Sequence, residues 1–244
     1  MRPSRLSFVN DPSVAEWMAP RLGPFDGRVG AFVPRGFPAY ARVLHPAYDH
    51  DGEPVTWSSV CAKTGRVAHP LMQWQSISGP RVEDGTGIPG PGGVPWDGRE
   101  PQVGELEPQA LSVLCRLLTE HADADLDCYF ALWEGWGWIP GDEEVMPGRR
   151  LHHPWRDYIL FSGPLLAAMD LGHWPSPDWF VPQSPSLIWP MDNSWCLATE
   201  VDFDSTLVAG DRDLVDALLS APDLEAVPVG PDDRLDSGGD AVNV

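Results

Sequence analysis

Apolar residues change period several times along the chain, and each change marks an expected element. Val29, Ala31 and Val33 alternate with other residues, a PRGFP turn follows, and 40–45 alternates again, which predicts a β-hairpin. Upstream, Ser13 and Glu16 form a capping box around Val14, Trp17 and Met18, predicting a short helix up to Pro20. Thr56 can cap a second helix, in which Trp57, Val60, Cys61 and Thr64 share a face and Gly65 supplies the stop. The clearest helical pattern opens at Pro108, where Leu111, Leu114, Cys115 and Leu118 follow the i, i+3, i+4, i+7 spacing of a buried stripe. Strands are expected at about 128–133, 158–162, 195–203, 206–208 and 225–229. A last helix, capped by Asp211, carries Leu214, Ala217, Leu218 and Ala221 to a stop at Pro222.

Strands and isolated helices without strict alternation predict an α+β fold, with antiparallel sheet packed against several short helices. Between 79 and 104, 13 of 26 residues are Gly or Pro, which no regular element tolerates. This divides the sequence into an N-terminal lobe of helix, hairpin and helix over 1–104, a C-terminal α+β lobe over 105–230 packed with it as one domain, and an acidic tail over 231–244. The tail, PDDRLDSGGDAVNV, is polar and is expected to fray.

At 43% apolar composition, 244 residues can bury a sizeable core. No segment approaches the length of a membrane span, and no apolar run follows the N-terminal arginines as a signal peptide would require. Cys61, Cys115, Cys128 and Cys196 are widely spaced in apolar contexts, so reduced thiols in a cytoplasm are expected. Acids outnumber Lys and Arg by 36 to 16, and residues 192–244 hold thirteen acids against two arginines. That field opposes binding to a phosphate backbone and attracts a basic protein partner.

Twelve tryptophans are the clearest compositional excess. Each buried indole removes roughly 200 Å² from water, worth about 5 kcal/mol, so most of them belong in a core. The run CYFALWEGWGW is expected to bury 128–133 as a strand. Its exit, with Glu134, Trp136 and Trp138, is the candidate ligand surface. Arg149, Arg150 and Arg156, with His152 and His153, form the main cationic concentration and suit a carboxylate or other anion beside those indoles; pairing with Asp142, Glu143 and Glu144 is the plainer account. Glu200, Asp202 and Asp204 alternate along an expected strand and therefore share one face, the candidate partner-binding surface. His45, Asp49, His50, Asp51 and Glu53 match no metal-ligand spacing and read as a polar turn. Asp123, Asp125 and Asp127 imitate a calcium loop but lack its glycine and its bidentate Glu. No metal site and no cofactor is therefore assigned. GxSxG, HExxH and GxxxxGK are absent from the sequence.

YFALWEGWGW, RDYILFSGP, PSLIWPMDNSWCLATEVDFDSTLVAG and DLEAVPV, all within 127–229, resemble a set of hypothetical actinobacterial proteins. The resemblance implies a cytoplasmic bacterial protein and brings no catalytic residue or ligand with it. Two functions stay open. One is a non-catalytic interaction module, immunity-type in one form, whose acidic surface meets a basic partner. The other is an enzyme or binder for a small molecule or metal, with carboxylates beside a Trp-lined pocket.

Overall fold

Thirteen strands and four α-helices make up the computed structural model, which describes residues 5–79, 94–121, 126–137, 148–153 and 156–243. In chain order they are β1 (Ser7–Val9), β2 (Ala39–Leu44), β3 (Ala47–Tyr48), β4 (Pro54–Val55), α1 (Trp57–Thr64), α2 (Trp74–Ile77), α3 (Pro108–Glu120), β5 (Asp127–Trp133), β6 (Leu151–His153), β7 (Arg156–Pro164), β8 (Gly172–Ser176), β9 (Trp179–Pro182), β10 (Leu187–Pro190), β11 (Cys196–Thr199), β12 (Ser205–Gly210), α4 (Arg212–Leu219) and β13 (Ala226–Val229). Nine strands form one antiparallel sheet in the order β1-β7-β5-β10-β11-β12-β2-β13, with β6 pairing β7 beside β1. The expected α+β class is what the chain adopts. β1 and β2, from the N-terminal part, sit in the same sheet as the strands after residue 126.

Alternation along these strands builds a core on each face of the sheet. Ala41, Val43, Phe130, Leu132, Ile159, Ile188 and Val208 point to the side covered by α3 and α4, where Leu111, Leu114, Leu118, Leu214 and Leu218 meet them. Each such leucine contributes roughly 1.5–3 kcal/mol by leaving water. Tyr40, Ala131, Leu160, Leu187, Trp189, Leu207 and Ala209 face the other way, against Ala15, Met18 and 29–33. A third cluster packs α1 and α2 on Leu44 and Ala47, with Trp57 and Trp74 at 5.5 Å.

Both well-signalled helix starts behave as their sequences require. The Thr56 hydroxyl accepts the Ser59 N–H, Gly65 closes α1 at φ 74°, and Asp211 accepts from the Leu214 N–H to open α4. The first expected helix is instead a pair of 3-10 turns, Pro12–Ala15 and Ala19–Arg21, and Asp11, not Ser13, supplies the cap of the first. Nor is there a strand at 29–33. A 3-10 turn lies there, and its Val29 and Gly30 N–H groups donate to Asp233 and Pro231 of the C-terminal segment. That segment is not frayed. Leu235, Asp240 and Asn243 are buried, and Asn243 brackets Val67 by donating to its carbonyl and accepting its N–H. No helix among the described residues is long and apolar enough to cross a membrane.

Candidate functional site

β5 delivers Glu134 and Trp136 to its exit as expected, where a 3-10 turn at Glu134–Trp136 ends at Gly137, φ 76°. Trp138 and the acids Asp142, Glu143 and Glu144 lie outside the described residues, as do Asp123 and Asp125. Trp136 does not stand free: it packs edge-on against Trp133 at 5.6 Å and against the core. Trp133 is itself only partly buried, and Arg156 lies over its ring at 5.1 Å. The most exposed described indoles are elsewhere, Trp174 and Trp179 of the β8–β9 hairpin at 40% and 60%.

The arginines and carboxylates singled out in the sequence are brought together, and they neutralise one another. Arg150 donates to Glu134 at 3.0 Å. Arg156 sends its Nε to Glu200 at 2.8 Å and a terminal nitrogen to Asp202 at 2.6 Å. Arg149 is exposed, and its backbone N–H donates to Asn10 at 2.8 Å. Behind Arg156, with His153, Tyr158 and Glu200, is a cavity of about 10 Å³, room for about one water. Burial keeps the His153 imidazole neutral, its pKa pushed down to about 4.

Glu200, Asp202 and Asp204 do not share a face. β11 stops at Thr199, and a turn closed by the Phe203 N–H on the Glu200 carbonyl breaks the alternation. Glu200 is buried and Asp202 is 74% exposed. Asp204 points inward to Arg42, whose side chain is 1% exposed. Arg42 also donates to Ser205 Oγ at 2.9 Å and the Met72 carbonyl at 2.8 Å, and lies over the Trp57 ring at 5.3 Å. Burial pulls the Arg42 guanidinium below its ordinary pKa and raises the Asp204 carboxyl.

His45 is separated from the other members of its sequence cluster. It is buried, with Nδ1 at 2.6 Å from the Gln102 carbonyl and Nε2 at 3.0 Å from the Thr206 hydroxyl; burial pushes its pKa down to about 4. Asp49, His50 and Asp51 bring three ligand atoms within 4.8 Å of one another. They sit on a turn in which Asp49 Oδ1 accepts the Asp51 and Glu53 N–H groups, as a polar loop would.

A second cavity lies at the other end of the sheet and was not legible in the sequence. It is a cleft of about 570 Å³ between α3, the β3–β4 ribbon and the 222–225 turn. Leu44, Val55, Ala110 and Val113 supply apolar walls. Glu107, Asp223 and Glu225 stand on it as acids. Glu225 also holds the start of α1, accepting from the Trp57 N–H, the Ser58 N–H at 2.8 Å and the Ser58 hydroxyl at 2.6 Å. Burial first, and then the nearby Glu107 carboxylate, push the Tyr48 hydroxyl's pKa up to about 12.

Compared with protein-family models, with curated proteins and with solved structures, the chain matches none.

Proposed function

We propose that this protein is a non-catalytic interaction module that meets a basic protein partner through its acidic surface. The observation that carries the reading is how the fold spends its few cations. Arg42, Arg150 and Arg156, with side chains 1%, 11% and 18% exposed, are all committed to acids within the fold. Acids outnumber Lys and Arg by 36 to 16, and among the described residues Glu16, Asp51, Glu53, Asp213 and Asp216 are exposed. Such a surface steers a cationic partner and repels nucleic acid. An immunity-type protein that neutralises a basic toxin is one concrete form.

A non-catalytic role is supported by the state of the candidate groups. Glu134, Glu200, Asp202 and Asp204 are each held by an arginine. All four thiols are buried and free, which also supports a reducing compartment such as a cytoplasm as the site of action. The other reading, an enzyme using those carboxylates beside a Trp-lined pocket, gains less support because each of the carboxylates already pairs with an arginine.

Affinity capture from a lysate of the source organism at low salt tests the proposal. A basic protein should be retained and then released as salt rises, because exposed charge pairs are screened. Retention of no protein at low salt refutes it.

A further inference from the structure

We propose that the cleft between α3, the β3–β4 ribbon and the 222–225 turn is where a partner protein inserts a basic side chain flanked by apolar residues. The inference rests on the interaction reading above only in drawing the cation from a protein.

Three observations converge on this occupant. At about 570 Å³ the cleft is as large as sites that enclose a ligand of several side chains' size, commonly about 300–1,000 Å³. Its walls are apolar while its charged groups are all acids, and none of the described residues lining it is Lys, Arg or His. Two neighbouring arginines are occupied: Arg99 stacks on the Tyr48 ring at 4.6 Å, and Arg116 reaches Asp223 at 3.5 Å and Glu120 at 3.7 Å. Glu107 makes no ion pair with a described cation, so it is the acid with most to gain from one.

A Lys or Arg side chain matches this arrangement in its own construction. Its aliphatic stem can lie on Ala110 and Val113, while its charged head reaches the carboxylates at the edge. Apolar neighbours in the partner's sequence would cover Leu44 and Val55. A purely apolar segment would leave the acids desolvated and unpaired, and a polar cation without a stem would leave the walls wet.

The test is an NMR titration of the full chain with two capped peptides, acetyl-Leu-Arg-Leu-Lys-Leu-amide and acetyl-Leu-Gln-Leu-Gln-Leu-amide, each up to about 5 mM. The basic peptide should shift the backbone amides of Ala110, Val113 and Leu224 and bind at least about tenfold more tightly than the neutral one. Ala110→Trp, which fills the cleft, should abolish those shifts. Glu107→Gln, at a partly exposed position, should weaken binding about three- to tenfold and serves if Ala110→Trp does not fold. Equal binding of the two peptides, shifts confined to other surfaces, no shifts, or full binding by both variants would overturn the assignment. A captured basic partner that still binds Ala110→Trp would overturn the cleft and leave the interaction reading intact. Cleft binding of the peptide with no partner captured would do the reverse.

Discussion

Asp240 is where the C-terminal segment is fastened, and replacing it measures how firmly. Its side chain is fully buried, and its carboxylate accepts from His69 Nε2 at 2.8 Å, Val242 N–H at 3.0 Å and Asn243 N–H at 2.9 Å on one oxygen. The other oxygen receives the Gln73 N–H at 3.3 Å and the Asn243 side-chain amide at 3.1 Å. Burial alone would raise this carboxyl; the donors of Asn243, Val242 and His69 overcome it and bring the pKa from 3.8 down to about 2. At about 1.36 kcal/mol per pH unit, that fall is worth roughly 2.5 kcal/mol to the folded state.

The sign fixes the pH window. A carboxyl whose pKa is lower when folded stabilises the protein above its unfolded pKa and loses that contribution as the pH falls through the folded one. Asp240→Asn keeps the volume but turns one acceptor into a donor, aimed at groups that are themselves donors. Urea unfolding near neutral pH should show a loss of about 2–3 kcal/mol. The gap between wild type and variant should close as the pH drops from about 4 toward 2. Hydrogen exchange should speed up at the Val67 and Asn243 amides, which this latch holds in place. A variant within about 0.5 kcal/mol of wild type at neutral pH, with the same pH profile, would refute the reasoning and return the tail to a frayed state.

Three further outcomes follow from single positions. Asp204→Ala strips the buried Arg42 of its counter-ion and should cost about 3 kcal/mol in urea unfolding, most of it restored in an Arg42→Met, Asp204→Ala double variant. Gly104 has φ +77°, and a Cβ there would stand 2.4 Å from the Val201 carbonyl oxygen, so Gly104→Ala should lower stability by about 2 kcal/mol or more. Burial pushes the Cys61 thiol up to about 11 and those of Cys115 and Cys128 to about 12; a thiol reagent near neutral pH should label the native protein slowly and all four cysteines once it is unfolded.

Elements whose signals are local were readable from the sequence. α1, α3 and α4 carry their stripes and stops within a dozen or so residues, and β5, β7 and β12 carry theirs within ten. β10 was missed because its four residues are buried on both faces, leaving no alternation to detect. At 29–33 the alternation was real but its meaning was wrong: every residue there is buried, and the hydrogen-bond partners come from about 200 positions away. The strand that does pair with β2 is not the expected hairpin partner but β12 on one side and β13 on the other. The cleft was invisible for the same reason. Leu44 with Val55, Ala110 with Val113, and 222–225 come from three distant segments, none of which carries a ligand signature alone.

Charge shows most sharply why composition was legible and placement was not. An acidic cluster in the sequence suggested an acidic face at Glu200, Asp202 and Asp204, yet Glu200 became buried and Asp204 half-buried against Arg42. A carboxylate leaving water needs a partner, because several kcal/mol of lost hydration must be offset locally. Two arginines meet that need here, across separations of 44 residues for Arg156 with Glu200 and 162 for Arg42 with Asp204, while the buried Asp240 meets it with His69 and backbone donors. Acids left at a water-facing rim need no such partner. Glu107, partly exposed and in no ion pair with a described cation, is thus open to a cation the chain does not supply, although nothing in its sequence neighbourhood distinguishes it from the acids that were neutralised.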